Sequence, residues 1–340
     1  MKNFSGISKA LLALVIVSAI LLASDLNNRN SAREKSDLEK GMSRFYKICL
    51  VHYVDSPNSE DCEEGLRDFF KDQGWEEDVD FSLQVYNSQG DMATLNSIAG
   101  TVSSQRWDLV MASSTPTNQV LVNKVTNSPI VFINVGDPIM AGFGESFENH
   151  LPNITGISTM SDFTGLVEML TIIHPGIKSI GTVFTPAEIN SVAYKERLEE
   201  TANKAGIELI SIPAASVTEV ADAAVSLCSR RIEAFCQISD NLTASCSATI
   251  IKASRDARIP YYGFITKQID QGAIAVAARD YHQAGYDAGQ MAKEVLEGKS
   301  PESIPFEYVT KTIYRINREA AAFYHVELPK ILSTKFNLTN

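Results

Sequence analysis

Short apolar runs alternate with helix-length stretches along most of this chain, and that alternation constrains the fold more than any other feature. The first runs are "YKICLVHY", "DFSLQVY", "WDLVMAS" and "PIVFINV", ending near Tyr53, Tyr86, Ser113 and Val135. A second series, "KSIGTVF", "GIELISI", "EAFCQIS" and "IPYYGFI", ends near Phe184, Ile212, Ser239 and Ile265. Helices are predicted around 60–73, 91–104 and 116–125, then around 186–205, 217–229 and 244–256. Strands joined by crossovers of this length pair in parallel, with helices on both faces of the sheet. Two such series predict an α/β chain of two doubly wound, Rossmann-like lobes. The final third adds one strand and one long helix in "GAIAVAARDYHQAGYDAGQMAKEVLEG", and one extended segment in "PFEYVTKTIYRIN". These pieces return to the earlier sheets, so the chain crosses between lobes several times. The expected first lobe is 45–155 plus 278–306, and the second is 156–277 plus 307–335.

The 340 residues, 44% hydrophobic and 21% charged, suffice for two medium domains with sizeable cores. A net charge of −11 argues against nucleic acid, whose phosphates require a basic face. At the front, Lys2 and Lys9 flank the start of "ALLALVIVSAILLA", residues 10–23, which carries no charge. As a helix this run spans roughly 21 Å at ~1.5 Å per residue, short of the ~30 Å hydrocarbon layer. An export signal is therefore expected in 1–24. Leu21 and Leu22 stand where a cleavage site wants small residues, so a retained membrane anchor fits as well. Either outcome puts the bulk of the chain outside the cytoplasm, periplasmic or otherwise extracytoplasmic, with membrane contact through this segment only. Residues 25–44 are polar and without periodicity, and read as a tether.

Five cysteines leave at least one thiol unpaired in each chain. Cys49 and Cys236 fall in apolar strands and read as buried thiols; a bridge among Cys228, Cys236 and Cys246 is the other option. No CxxC and no Cys/His cluster has metal-ligand spacing, so no metal is expected. No cofactor is expected either. "GFGESF" lacks the third glycine of a dinucleotide fingerprint and follows the wrong strand, and there is no P-loop. No G-x-S-x-G elbow is present, and the five histidines are scattered, so nothing demands catalysis.

In doubly wound sheets ligands bind beyond the carboxyl ends of the strands, and here those ends are rich in polar groups. His52, Asp55 and Ser56 follow the first strand; Ser113, Ser114, Thr115 and Gln119 follow the third; Asp137 follows the fourth. In the second lobe "SIGTVFTPAEINSVAYKERL" turns from strand to helix. Thr185 as N-cap, Pro186 at the first helical position and Glu188 three residues on make a capping reading, with Gly206 as the stop. Capping does not account for Asn190 and Ser191. Asp240 and Asn241 follow a later strand, where they form either a local turn or a contact for a cationic group. A helix amino terminus at Thr115 favours an anion. Loops of this kind from two lobes, converging on one cleft, would suit an amino acid zwitterion.

"STPTNQ", "GDPIMAG", "TPAEINSV", "ISDNLTAS" and "QGAIAVAARDYHQAGYDAG" occur in order and at suitable separations. Together they resemble ABC-transporter substrate-binding proteins of the tryptophan or aromatic amino acid-binding type, over about 46–332. The resemblance implies a type I periplasmic-binding-protein fold, two lobes joined by three crossing strands, and no enzymatic activity. It implies a small-molecule ligand, with an amino acid, aromatic in some relatives, as the expected class, delivered to an ABC permease and its ATPase. Carried over by motif, Thr115, Gln119, Asp137, Glu188, Asn190, Ser191, Asp240 and Asn241 would line the cleft. Ser114 and Thr115 would hold a carboxylate and Asp240 an ammonium. This chain departs from relatives in "GFITKQIDQG", which would bring Phe264, Lys267 and Asp270 to the cleft rim, and in lacking a lipid-bearing cysteine. The alternative is a membrane-tethered sensor of the same fold that signals through a partner protein.

Overall fold

Strand β1 (Tyr46–His52) shows why the apolar runs look as they do. Its residues Ile48, Cys49, Leu50 and Val51 are all fully buried, because helices cover both faces of the sheet. The computed structural model describes residues 44–309 and 311–338; the expected export segment and all but the last residue of the expected tether lie outside the described residues.

From β1 the chain runs through α1 (Pro57–Asp72), β2 (Phe81–Asn87), α2 (Met92–Ser103), β3 (Leu109–Ser113), α3 (Thr115–Lys124), β4 (Ile130–Val135) and β5 (Ile154–Ser158). Next come α4 (Phe163–Ile173), β6 (Ser179–Phe184), α5 (Ile189–Lys204), β7 (Glu208–Pro213), α6 (Val217–Cys228) and β8 (Ala234–Gln237). Then follow α7 (Asn241–Ser245), α8 (Ser247–Asp256), β9 (Tyr261–Gly263), α9 (Gln268–Gln271) and β10 (Ala275–Arg279). The chain closes with α10 (Tyr281–Leu296), a 3-10 turn at Pro301–Ser303, β11 (Glu307–Tyr308), β12 (Thr312–Ile316), α11 (Arg318–Phe323) and α12 (Ile331–Lys335).

The strands form two six-stranded sheets, ordered β11-β5-β4-β3-β1-β2 and β12-β10-β9-β8-β6-β7. All neighbours are parallel except β12, which runs antiparallel to β10. These are the two doubly wound lobes. In the first, Leu66 and Phe69 of α1 and Ala288 and Met291 of α10 cover one face, while Leu95 of α2 and Leu121 of α3 cover the other. In the second, α4 and α5 pack Leu170 and Leu198 on one face, and α6 and α8 pack Leu227 and Ile250 on the other. Helices α1 and α10 touch almost backbone to backbone: a Cβ on Gly285 would fall 1.9 Å from the Cys62 carbonyl oxygen.

The chain crosses between sheets at three points, after β5, after β10 and after β11. β5 reaches Ser158, β10 reaches Arg279 and β11 sits in the first sheet, so each crossing lies a few residues beyond the expected 155, 277 and 306. Strand pairing explains the offset, since Ser158 still has Tyr308 beside it and Arg279 still has Thr312. Arg279 joins the three crossings: its Nε donates to the Met160 carbonyl at 2.6 Å and its guanidinium also donates to Thr312. The expected single extended segment "PFEYVTKTIYRIN" is two strands in different sheets. The five cysteines are all free thiols, so the bridge option among Cys228, Cys236 and Cys246 is not realised. Burial pushes the Cys49 thiol up to about 12.

Candidate functional site

The polar strand ends of the two sheets meet. Thr115 of the first lobe is 2% exposed and Asp240 of the second is fully buried. Lys267, in the second lobe, pairs across the gap with Glu60 and Asp61 of α1 at 3.3 and 3.0 Å. Tyr194 of α5 comes so close to Gly136, just past β4, that a Cβ there would lie 2.1 Å from its hydroxyl oxygen. Between the lobes remains a cavity of about 440 Å³, with Tyr53, Pro116 and Gln119 on one wall and Thr185, Glu188 and Leu242 on the other.

The second-lobe wall is built by side chains bonding one another. The capping expectation for Thr185 is corrected here: α5 starts at Ile189, with Glu188 at the N-cap and no side chain capping the helix. Thr185 instead gives its backbone N–H to Ser191 Oγ at 2.7 Å, and its hydroxyl points to Asp240 at 3.4 Å. Ser191 Oγ in turn donates to Asp240 at 2.5 Å. Asp240 also caps α7 by accepting from the Thr243 N–H at 2.7 Å, so the local-turn reading holds for it. Glu188 accepts from the Asn241 N–H at 3.1 Å, the Asn241 side chain at 2.5 Å, the Asn190 side chain at 3.2 Å and the Leu242 N–H at 3.3 Å.

Both carboxyls are hard to ionise. Burial, and then the charge of Asp240, push Glu188 up to about 7 against the hydrogen bonds from Asn241 and Asn190. Burial also raises Asp240, opposed by Ser191 and Thr243. Among the described residues neither carboxylate forms an ion pair. The Oδ1 of Asn190 is buried and has no partner.

The first-lobe wall carries uncharged groups and a helix end. Ser114 precedes α3 with φ of 86°, in a region that costs a non-glycine residue energy, and its side chain reaches Thr117 Oγ1 at 3.0 Å without capping the helix. The first N–H groups of α3 are thus left without a side-chain cap at the positive end of the dipole. Gln119 donates to the Ala141 carbonyl at 3.3 Å. Asp137 bends its own loop, accepting from the Ile139 and Met140 N–H groups at 3.0 Å each. His52 donates through Nε2 to Glu63 at 3.0 Å, a bond that brings the Glu63 carboxyl down to about 2.

Two expected residues, Asp55 and Phe264, are not among those that line the cavity. Asp55 is exposed and accepts from Asn87 at 2.5 Å. Phe264 is fully buried in the core of the second lobe, its ring 4.9 Å from Phe163, so it is not at the rim; Lys267 is. Tyr194, Gly136 and Asn58 were not anticipated. Asn58 sits in "SPNSEDCEEG", which has the look of an ordinary helix start, and only its unpartnered Oδ1 marks it out. Among the described residues no group of three His, Cys, Asp or Glu side chains could hold a metal ion.

Comparison with known proteins fits this geometry. The family described as "ABC transporter substrate binding protein" matches residues 47–337. A tyrosine-binding protein of Clostridioides difficile is 29% identical over 319 residues, covering 92% of this chain and 91% of the relative. A solved conserved domain protein from Vibrio cholerae is 29% identical with a TM-score of 0.83, over 87% of this chain and 100% of that one. An ABC domain from Streptococcus pneumonia, solved in complex with L-Trp, is 24% identical with a TM-score of 0.82, over 87% and 99%. The two lobes are those of the type I periplasmic-binding-protein fold, and the matched family is one of substrate-binding proteins, not enzymes. The chain belongs to the ABC transporter substrate-binding protein family.

Proposed function

We propose that this protein captures an amino acid, with aromatic side chains preferred, in the cleft between its lobes and hands it to an ABC permease powered by an ATPase. The observation that carries this reading is a pairing of opposites. Buried Glu188 and Asp240, without a cation, lie on one lobe, and the uncapped start of α3 beyond Ser114 and Thr115 lies on the other. A carboxylate suits the helix start and an ammonium suits the carboxyl pair. The tyrosine-binding relative and the relative solved with L-Trp support an aromatic amino acid. His52, Gln119, Asp137, Asn190, Ser191 and Asn241 shape the cleft around those two poles, and the cavity beside Glu188 offers room for a ring. In this reading residues 1–24 either lead the chain out of the cytoplasm or hold it at the membrane.

A thermal-shift screen of the twenty amino acids against the purified protein tests the proposal. At a hundredfold excess over Kd, a true ligand adds about 2.7 kcal/mol, which raises Tm by about 5 °C or more in a domain of this size. Asp240→Asn keeps the shape and removes the charge, and is expected to weaken binding about tenfold or more. Unchanged affinity in a folded Asp240→Asn protein would overturn the assignment of the cleft.

A further inference from the structure

Seven buried side-chain polar atoms lack a partner among the described residues, and five of them lie at the last residue of a strand or in the first turn of the helix that follows: His52 Nδ1, Asn58 Oδ1, Ser113 Oγ, Asn118 Oδ1 and Asn190 Oδ1. Asn118 spends its NH₂ on the Ala112 and Ser114 carbonyls, so its Oδ1 is left as an acceptor. His52 spends Nε2–H on Glu63, so in the neutral ring Nδ1 accepts as well. Buried polar groups are normally satisfied, and exceptions at these positions call for a partner from outside the chain. Here the unmet capacity is nearly all for hydrogen-bond donors. Two carboxyls on either side of one peptide, Glu188 through its bond from the Asn241 N–H and Asp240 as the preceding residue, add to that surplus.

The groups around this pair supply no positive charge. Tyr53 faces Glu188 from the first lobe, and its phenol is raised by burial first and then by that carboxylate and Asp91. Tyr194 faces it from α5 and also feels Asp137, Asp240 and Tyr281. Cys246, just beyond α7, feels Asp240. Burying two like charges together in such surroundings disfavours ionising both.

Building on the reading that the cleft binds an amino acid, we propose that the ligand's ammonium enters in exchange for a proton that Glu188 and Asp240 hold between them in the ligand-free protein. One proton leaves to bulk water for each ligand bound. The ammonium N–H groups then take over the carboxylates and the free Oδ1 of Asn190, and the class of ligand is fixed as a primary amine. A neutral or anionic ligand of the same shape would leave the acceptors unpaired.

Isothermal titration of the full chain with L-tyrosine and L-tryptophan, in buffers of differing ionisation enthalpy from pH 6 to pH 8, measures the protons released. The expected result is release near one proton at pH 6, falling towards none at pH 8. Affinity should tighten about tenfold across that range, as for one displaced proton on a group titrating near 7. Glu188→Gln should flatten the pH profile and abolish the release, and 3-(4-hydroxyphenyl)propionate, which lacks the amine, should not bind. Amino acid binding with pH-independent affinity and no proton release would overturn the exchange while leaving the proposed function standing. Equal binding of the deaminated compound would overturn the ligand class, and failure of every amino acid to bind would overturn the function on which both rest. The wild-type buffer series decides the exchange even if Glu188→Gln does not fold.

Discussion

Gly136 and Tyr194 show how single side chains set the fit between the lobes. Gly136 has no need of glycine's backbone freedom, so what excludes a larger residue is the Tyr194 hydroxyl 2.1 Å from its would-be Cβ. The clash is with a residue of the other lobe. Gly136→Val is therefore expected to leave unfolding of the ligand-free protein little changed and to weaken ligand binding about tenfold or more, with partial rescue by adding Tyr194→Ala. Solution scattering checks it: the wild type should contract on adding ligand and the variant should not. At this scale the sequence was most readable where a residue type had no local excuse. Ser191, unexplained by capping, proved to bond Asp240. Thr185 misled because the strand–Thr–Pro–x–Glu pattern has the form of a helix start, and nothing in it reveals that Asp240, 55 residues on, competes for the hydroxyl. Phe264 misled for another reason: the departure of "GFITKQIDQG" from its relatives suggests a rim for the whole segment, but Phe264 packs against Phe163 in the core.

Among the elements, α1 and α10 carry the tightest packing in the first lobe. Gly65, Gly285 and Gly289 let the two helices approach until a Cβ at Gly285 would meet a carbonyl at 1.9 Å. Backbone cannot yield as a flexible side chain does, so Gly285→Val should cost about 3 kcal/mol, read as a lowered midpoint in urea with the slope unchanged. The principal strands were legible because parallel, doubly covered strands must be apolar throughout. β5 and α4 were missed. "ITGIS" is fully buried, yet its Thr, Gly and Ser break the apolar run, and its burial comes from its place between β4 and β11. The β11–β12 segment was found but read as one strand, since continuity of extended residues says nothing about which sheet each half joins.

For the whole molecule, Lys267 ties the lobes to each other, since its ion pairs with Glu60 and Asp61 bridge the gap. Partly exposed pairs of this kind are worth up to about 1 kcal/mol each and weaken in salt. Lys267→Ala is expected to weaken ligand binding about two- to fivefold at low ionic strength and to differ little from wild type at high salt, as titrations at the two ionic strengths would show. Two lobes and repeated crossings could be inferred from the order of strands and helices; where the crossings fall depends on pairing between distant segments, Ser158 with Tyr308 and Arg279 with Thr312, and could not be. Those crossings share one further property. Arg279 holds on to Met160 and Thr312 as well as to its own strand, which rivets the three connectors into a single axle. Such an axle is expected to let the lobes swing while resisting splaying or sliding, so that occupancy of the cleft would reach the outer surface as one angle.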